Sequence, residues 1–286
     1  MIKTWTWIWN HPLGKHRRMA AYGRWLRWQF GTRLVGQPVV MPFVEGSRLV
    51  VERSMTGATG NIYCGLHEFE DMAFVLHCLR EQDTFVDVGA NVGSYTVLAS
   101  AVVGCRTISL EPVPSTYRKL QANVRINGIE ALVDLRHCAA GADSGEVWFR
   151  TDLDTMNRVV EEHAAVQKER VQVRRLDDVL HGMVAAIWKI DVEGYEGEVL
   201  RGAEKSLQAT GVKAVMLEGH DDRIVANMRS AGFAEMIYDP WTRQVLNGDR
   251  IQGRRSSGNH LWVRDRDWVQ SRCRESRRYE VLGVRF

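Results

Sequence analysis

Short blocks of apolar residues, each with its own period, run along most of the chain and predict its elements. Phe85-Val86-Asp87-Val88 is an apolar run that stops at a glycine turn and predicts a buried strand; Ser94 to Val103 predicts the helix after it. Thr107–Glu111 reads as a strand and Ser115–Asn127 as a helix. Leu132–Cys138, Glu146–Phe149 and Val171–Arg174 read as strands, with a short helix at Leu176–Leu180. The alternation continues through a strand at Ala185–Val192, a helix at Tyr195–Leu207, a strand at Val212–Glu218, a helix at Asp221–Ala231 and a last strand at His260–Val263. Repeated strand–helix–strand units imply an α/β fold, a doubly wound and mostly parallel sheet with helices on both faces.

Upstream, His16 to Phe30 has helical spacing, with Met19, Tyr22, Leu26 and Phe30 on one face and Arg17, Arg24 and Arg27 away from it. Two readings follow: a helix packed on the main domain or on a second copy in a homo-oligomer, or an interfacial helix on an anionic membrane with Trp at headgroup level. Val39–Phe43 and Arg48–Arg53 alternate around Glu45-Gly46-Ser47 and predict a hairpin. Gly57, Gly60 and Gly65 predict a loop over 54–66, either a connector or a flap over a ligand, before a helix at Glu68–Leu79. The chain thus divides into a helical arm (1–38), a hairpin, Gly-rich loop and leading helix (39–82), the α/β domain (83–265) and an Arg-rich tail (266–286).

Charge sharpens the picture of the arm. The net charge is +3, yet residues 1–44 hold seven Lys or Arg, no Asp or Glu, and five of the ten tryptophans, so the remainder sums to −4. A chain that is acidic outside a short arm is a poor nucleic-acid binder. The five cysteines are odd in number, dispersed and without C-x-x-C spacing, which points to neither a zinc site nor a disulfide framework. No 18-residue apolar run and no signal-peptide pattern is present, so the expectation is a cytoplasmic protein, with peripheral membrane contact through residues 1–30 as the alternative for the arm.

The chemistry gathers at strand ends. Asp87, Glu111, Asp191 and Glu218 each end a predicted strand, where an open α/β sheet binds its ligand. Glu111 lies 18 residues beyond Gly93, where an acid accepts both hydroxyls of a ribose. The hinge Gly89-Ala90-Asn91-Val92-Gly93 lacks the G-x-G-x-x-G spacing of a pyrophosphate site, and Asp87, two residues before it, suits an ammonium group. A ligand with a ribose at one end and an amino acid at the other is S-adenosylmethionine.

With these residues in view, the chain resembles the FkbM-type methyltransferases, a branch of the class I, Rossmann-like S-adenosylmethionine-dependent enzymes. The resemblance rests on FVDVGANVGSYT (85–96), EPVPSTYRKLQANVRING (111–128), RRLDDVL (174–180), WKIDVEGYEGEVLRGA (188–203) and the position of Asn259, and covers residues 60–265. It implies that Asp87, Gly89, Ala90, Asn91 and Gly93 wrap the methionine end and sugar, that Glu111 holds the ribose, and that Pro112 turns the chain under the adenine. Ala139, with Ala140, sits where many class I enzymes place a polar residue on the adenine. Asp191 would end the strand facing the methyl group, with Lys189 as a buried partner that keeps it ionised; capping the following helix is its alternative role. Asp191 and His220 are the candidate bases, with His260 a weaker one, and His220 has a structural role as its alternative. No metal is expected; Asp191, Glu218 and His220 form the alternative divalent site. The implied activity is O-methylation of a hydroxyl on a small-molecule acceptor, a sugar or other natural product. The alternatives are N-methylation on the same fold, or a non-catalytic nucleotide-binding partner subunit. Residues 151–170, polar and without period, are expected to line the acceptor side together with the loop 54–66.

Overall fold

The computed structural model describes residues 2–52, 55–150, 159–160, 164, 166–248 and 258–286. The arm comprises α1 (Ile2–Asn10) and α2 (Arg18–Val35), followed by the hairpin of β1 (Val39–Pro42) and β2 (Arg48–Val51). Helix α2 buries a different face from the one its apolar spacing predicts. Tyr22, Trp25 and Trp28 pack inward, with Ala21, against Leu49, Val51, Ala58 and Ile62, while Met19, Leu26 and Phe30 point outward. Rings as large as Tyr and Trp bury more apolar area than Met or Leu, so the aromatic face has more to gain from the core. Arg24, which lies away from the predicted apolar face, is instead turned inward and donates to the Tyr63 carbonyl through Nε (2.9 Å) and Nη2 (2.7 Å).

The glycines at 57, 60 and 65 do not make a loop. Helix α3 runs Thr56–Cys64 and ends at Gly65, whose φ of 93° is open to glycine. Helix α4 (Phe69–Cys78) then leads into the domain. Along the chain come β3 (Thr84–Val88), α5 (Ser94–Val97) continued by a π-helical turn at Leu98–Val103, β4 (Arg106–Leu110), α6 (Pro114–Ile126) and β5 (Val133–Arg136). Next are β6 (Ala139–Ala140), β7 (Gly145–Arg150), β8 (Val159–Val160), β9 (Lys168–Arg174), α7 (Leu176–Leu180), β10 (Ile187–Ile190), α8 (Glu196–Arg201), α9 (Glu204–Gln208) and β11 (Ala214–Leu217). The chain closes with α10 (Asp222–Ser230), β12 (Ala234–Asp239), β13 (Gln244–Asn247), β14 (His260–Val263), α11 (Arg266–Glu275), β15 (Glu280–Val281) and β16 (Val284–Arg285).

The main sheet has the order β13-β12-β14-β11-β10-β3-β4-β5, with β5, β4, β3, β10 and β11 parallel and β14 antiparallel to both its neighbours. This is the Rossmann-like α/β architecture. The strands expected at 146–149 and 171–174 do not join it: β7 and β9 pair antiparallel in a separate sheet, ordered β6-β9-β7-β8. The helix expected over 195–207 breaks at Gly202 and Ala203 into two, and Gly202 packs there on the Gly141 carbonyl oxygen, 1.9 Å from where a Cβ would stand. Residues 266–286, which read as an Arg-rich tail, are part of the core: α11 packs on α4 and β13, and Val269, Cys273 and the terminal Phe286 are fully buried. All five cysteines are free and buried. Among the described residues no helix is long and apolar enough to cross a membrane.

Two consequences of this topology position the site. The chain leaves β3 toward β4 and β5, then returns to the other side of β3 as β10, so the crevice opens at the carboxyl ends of β3 and β10. The register pairs Lys189 with Asp87 and Ile190 with Val88. Side chains alternate across a strand, so Asp87 and Lys189 share the face of Phe85 and Ile187, which α4 covers.

Candidate active site

The hinge after β3 is shaped by one close approach. Gly89 has φ 77°, and a Cβ there would lie 1.9 Å from the carbonyl oxygen of Asp191. The Leu110 carbonyl accepts both the Gly89 and Ala90 N–H groups. Asn91, although not glycine, holds φ 52°, with its Oδ1 accepting the Val92 N–H at 2.7 Å. Its own N–H donates to Glu111 Oε2 at 3.0 Å, and the Val113 N–H donates to Glu111 Oε1 at 2.9 Å. Glu111 is thus a buried brace between the hinge and the end of β4, and burial pushes its carboxyl up to about 7. Beyond it Pro112, Val113, Thr116, Cys138, Ala139 and Phe149 line a narrow slot of about 50 Å³. Asp87 lies 2% exposed, accepting a hydrogen bond from Thr96 Oγ1 at 2.6 Å, and burial pushes it up to about 6.

A wider cavity of about 320 Å³ adjoins the slot, and the two share Gly89, Asn91, Asp191 and Glu193, so they form one cleft. The cavity is acidic: Glu68, Asp87, Asp191, Glu193 and Glu218 line it against Lys189. His67, also on its wall, is held by burial below the ordinary imidazole range. Such a cleft favours a cationic ligand.

Lys189 sits at the centre of a buried network. Its Nζ donates to Asp191 Oδ2 (2.8 Å) and Asn259 Oδ1 (3.1 Å), and lies 5.4 Å from the centroid of the Tyr95 ring. Asn259 Nδ2 donates to Glu68 Oε1 (3.0 Å) and Asp71 Oδ2 (2.8 Å), and Tyr95 donates to Glu68 Oε2 (2.8 Å). Burial alone would strip the Lys189 proton, but the carboxylates of Asp191, Glu68 and Asp71 outweigh it and raise the ammonium above its usual range. Burial likewise opposes ionisation of Asp191, but the Lys189 charge and hydrogen bond, with a hydrogen bond from Glu218, hold it below the usual carboxylate range. Desolvation and the neighbouring Asp191 charge push Glu218 up to about 8. The pair therefore shares one proton, carried by Glu218 near neutrality.

The structure brings Asp87, Gly89, Ala90, Asn91, Glu111, Pro112, Ala139, Lys189 and Asp191 to this one cleft. Gly93 stands apart from the lining, its φ of 88° and its packing 2.5 Å (as a Cβ) from Leu120 Cδ1 fitting it to start α5. Asp191 caps no helix: α8 begins at Glu196, and the turn between them is held by Glu196 Oε1, which accepts the Gly194 N–H at 3.2 Å. His220 is not among the described lining residues. Its Nε2 lies 3.2 Å from Glu235 Oε2, its ring stacks on His260 at 4.0 Å, and His260 Nδ1 lies 2.7 Å from Glu235 Oε1. The alternative metal set divides accordingly: Asp191 and Glu218 gather with Glu193, whereas His220 gathers with Glu235 and His260. The acceptor segment 151–170 falls largely outside the described residues. Glu68, Asp71, Tyr95 and Glu193 also belong to the site, although none of them ends a predicted strand or sits in the glycine hinge. Glu68 and Asp71 stand three apart at the start of a predicted helix, a spacing that places two acids on one face and was available as a signal.

Residues 87–235, just over half of the chain, match the Methyltransferase FkbM domain family. The chain is 28% identical over 159 residues to the hexuronic acid methyltransferase AglP of Haloferax volcanii, covering 54% of this chain and 62% of that protein. It is 25% identical over 161 residues to Methyltransferase 1 of Beauveria bassiana, covering 48% of this chain and 64% of the relative. It is 28% identical over 208 residues to the 31-O-demethyl-FK506 methyltransferase FkbM of Streptomyces tacrolimicus, covering 58% and 78%. The match thus spans a little under two thirds of the first two relatives. The glycine hinge under Asp191, the braced Glu111 and the strand order around them all lie within or beside the matched region, and the chain belongs to the FkbM methyltransferase domain family.

Proposed function

We propose that this protein is an S-adenosylmethionine-dependent methyltransferase acting on a hydroxyl of an uncharged small-molecule acceptor, a sugar or other natural product. One observation carries the reading: two buried acids, Asp87 and Glu111, end adjacent parallel strands on either side of a hinge where Gly89 admits no side chain. The residues present fit the cofactor. Each Glu111 oxygen accepts one backbone N–H and keeps lone pairs for the ribose hydroxyls. Asp87 and the acidic cavity suit the amino-acid end and its positive charge, and the slot of Val113, Ala139 and Phe149 suits the apolar faces of the base. When bound, the cofactor supplies a methyl group already activated on a sulfonium centre.

The protein's own task is then to align the acceptor and take its proton. Asp191, held ionised by Lys189, is a weak base that orients. Glu218, shifted to about 8 and hydrogen-bonded to Asp191, holds its own proton near neutrality, so we assign it the proton-accepting role only in the ionised form that grows in as pH rises through about 8. The acceptor's charge follows from the wall. A carboxylated acceptor such as the hexuronic acid in the name of the Haloferax relative would be repelled by Glu68, Asp191 and Glu193, whereas a neutral hydroxyl compound would not.

Calorimetry with S-adenosylhomocysteine tests the reading. Glu111→Ala is expected to weaken binding by about 1.5–3 kcal/mol through lost hydrogen bonds, roughly 10- to 150-fold. Glu111→Gln, which keeps one acceptor oxygen, should lose less. Unchanged affinity, or binding of NAD in preference, would reject the assignment.

A pH profile tests the same two acids. Folding raises Asp87 from 3.8 to about 6 and Glu111 from 4.5 to about 7, so the ligand-free folded protein holds more protons than the unfolded chain across this window. Their contribution to stability is therefore full below the unfolded values and is lost as pH rises through about 6 and about 7. Ligand binding has the opposite sign, since it uses the ionised forms. Affinity is expected to fall by about tenfold per pH unit for each acid below its own value. The thermal shift produced by S-adenosylhomocysteine should accordingly grow with pH up to neutrality and then level off; a shift independent of pH would remove these acids from the site.

A further inference from the structure

Helix α2 has two apolar faces, and the described residues cover only one of them. On the open face Met19 is 87% exposed, Leu26 45%, Phe30 61% and Leu34 88%. At 3.6 residues per turn these four lie within about 80° of one another around the axis. Arg27 and Arg33, both exposed, border the stripe, one on each side, each within about 20° of its edge. Tryptophans of α1 extend it. Trp5 and Trp9 are each 48% exposed, Trp5 stacks on Tyr22 with ring centroids 4.0 Å apart, and the Arg18 guanidinium lies 4.0 Å from the centroid of the Trp9 ring. Tyr22 stands three residues from Met19 and four from Leu26, so these rings flank the stripe.

We propose that this surface rests on an anionic lipid bilayer, with α2 lying in the plane of the interface. Charge selects this occupant. Residues 1–44 carry seven Lys or Arg and no acid. A second copy docked through the same face would set these cations against their own kind with no carboxylate from the arm between them, a juxtaposition that opposes self-association. Anionic headgroups neutralise the basic flanks while the acyl boundary takes Met19, Leu26, Phe30 and Leu34. Half-exposed Trp rings belong at the same depth, between headgroup and chain. The remainder of the protein, at −4, is repelled by the same surface, so the arm faces the lipid and the acidic cleft is held off it.

The test is flotation of the full-length protein with vesicles of phosphatidylcholine and phosphatidylglycerol in equal parts, beside vesicles of phosphatidylcholine alone. The protein is expected to float with the anionic vesicles, less with the neutral ones, and less again as salt is raised. The double variant Phe30→Glu/Leu34→Glu should lower partitioning by about tenfold or more. Both side chains face solvent, so its melting curve should match the parent's and report an intact fold without reference to any ligand. Three outcomes would overturn the proposal: no flotation with anionic vesicles, equal flotation of the double variant, or a dimer in sedimentation that the double variant dissolves while lipid binding stays nil.

Discussion

Lys189→Met is expected to lower the stability of the protein by about 2–3 kcal/mol: removing one partner from a fully buried ion pair costs about 3–5 kcal/mol, and Asp191, its side chain 35% exposed to the cleft, lets solvent screen part of that. Methionine fills much the same volume, so little of the loss comes from a cavity. The loss comes from what remains. Asp191 forfeits the ammonium 2.8 Å away, Asn259 forfeits a donor at 3.1 Å, and Glu68 and Asp71 keep their charges next to each other with no buried cation at the centre. Exchanging the whole cluster for apolar residues could be neutral, but a single exchange leaves desolvated carboxylates behind. In a chain of this size the melting temperature should fall on the order of 10 °C. The effect has a definite pH dependence. The Asp191 carboxyl is depressed in the folded protein, so its contribution is present above its unfolded value and lost as pH falls through the folded one. The gap between parent and variant, measured by urea unfolding, should therefore narrow in acid. A gap below about 1 kcal/mol at neutral pH would mean that the pair is solvated, as exposed ion pairs are.

Gly89→Ala is expected to reduce S-adenosylhomocysteine affinity by about tenfold or more, the cost of losing one or two hydrogen bonds to a displaced hinge. The added Cβ meets the Asp191 backbone oxygen at 1.9 Å, and the Asp191 N–H is itself tied to the Val88 carbonyl at 3.0 Å. Neither backbone can rotate aside, so the crevice between β3 and β10 must open, carrying Asp191 with it. Stability should fall by about 1–3 kcal/mol, part of it from the positive φ alone. Gly128→Ala separates the two causes. It has a φ of 63° but no atom within 4 Å of the added Cβ. It should cost about 1 kcal/mol and leave binding intact. If the two variants behave alike, the close approach at Gly89 does not shape the site.

Much of the frame was legible in the sequence, because it depends on local periods. Apolar runs ending in Asp87, Glu111, Asp191 and Glu218 state that strands end in acids, and glycines at 89 and 93 state that the chain turns sharply between the first strand and its helix. Both follow from backbone hydrogen bonding and side-chain alternation, which act over a few residues. Period could not decide between the two faces of α2, since each carries apolar residues; the choice belongs to Leu49, Val51 and Ile62, which arrive from other elements and fit the rings of Tyr22, Trp25 and Trp28. Nor could it separate the short antiparallel sheet of β7 and β9 from the main one, because a strand's sequence does not name its neighbour.

The site divides along the same line. The acids, the hinge and the adjacency of Lys189 to Asp191 were written in neighbouring positions. Tertiary structure alone joined Lys189 to Asn259 across 70 residues, joined Asn259 to Glu68 and Asp71 across 191 and 188, and sent His220 to Glu235 and His260. The reason is that a buried charge takes whichever partner the sheet order places beside it. That order was decided when the chain crossed back over β3 to lay down β10, an event with no local signature.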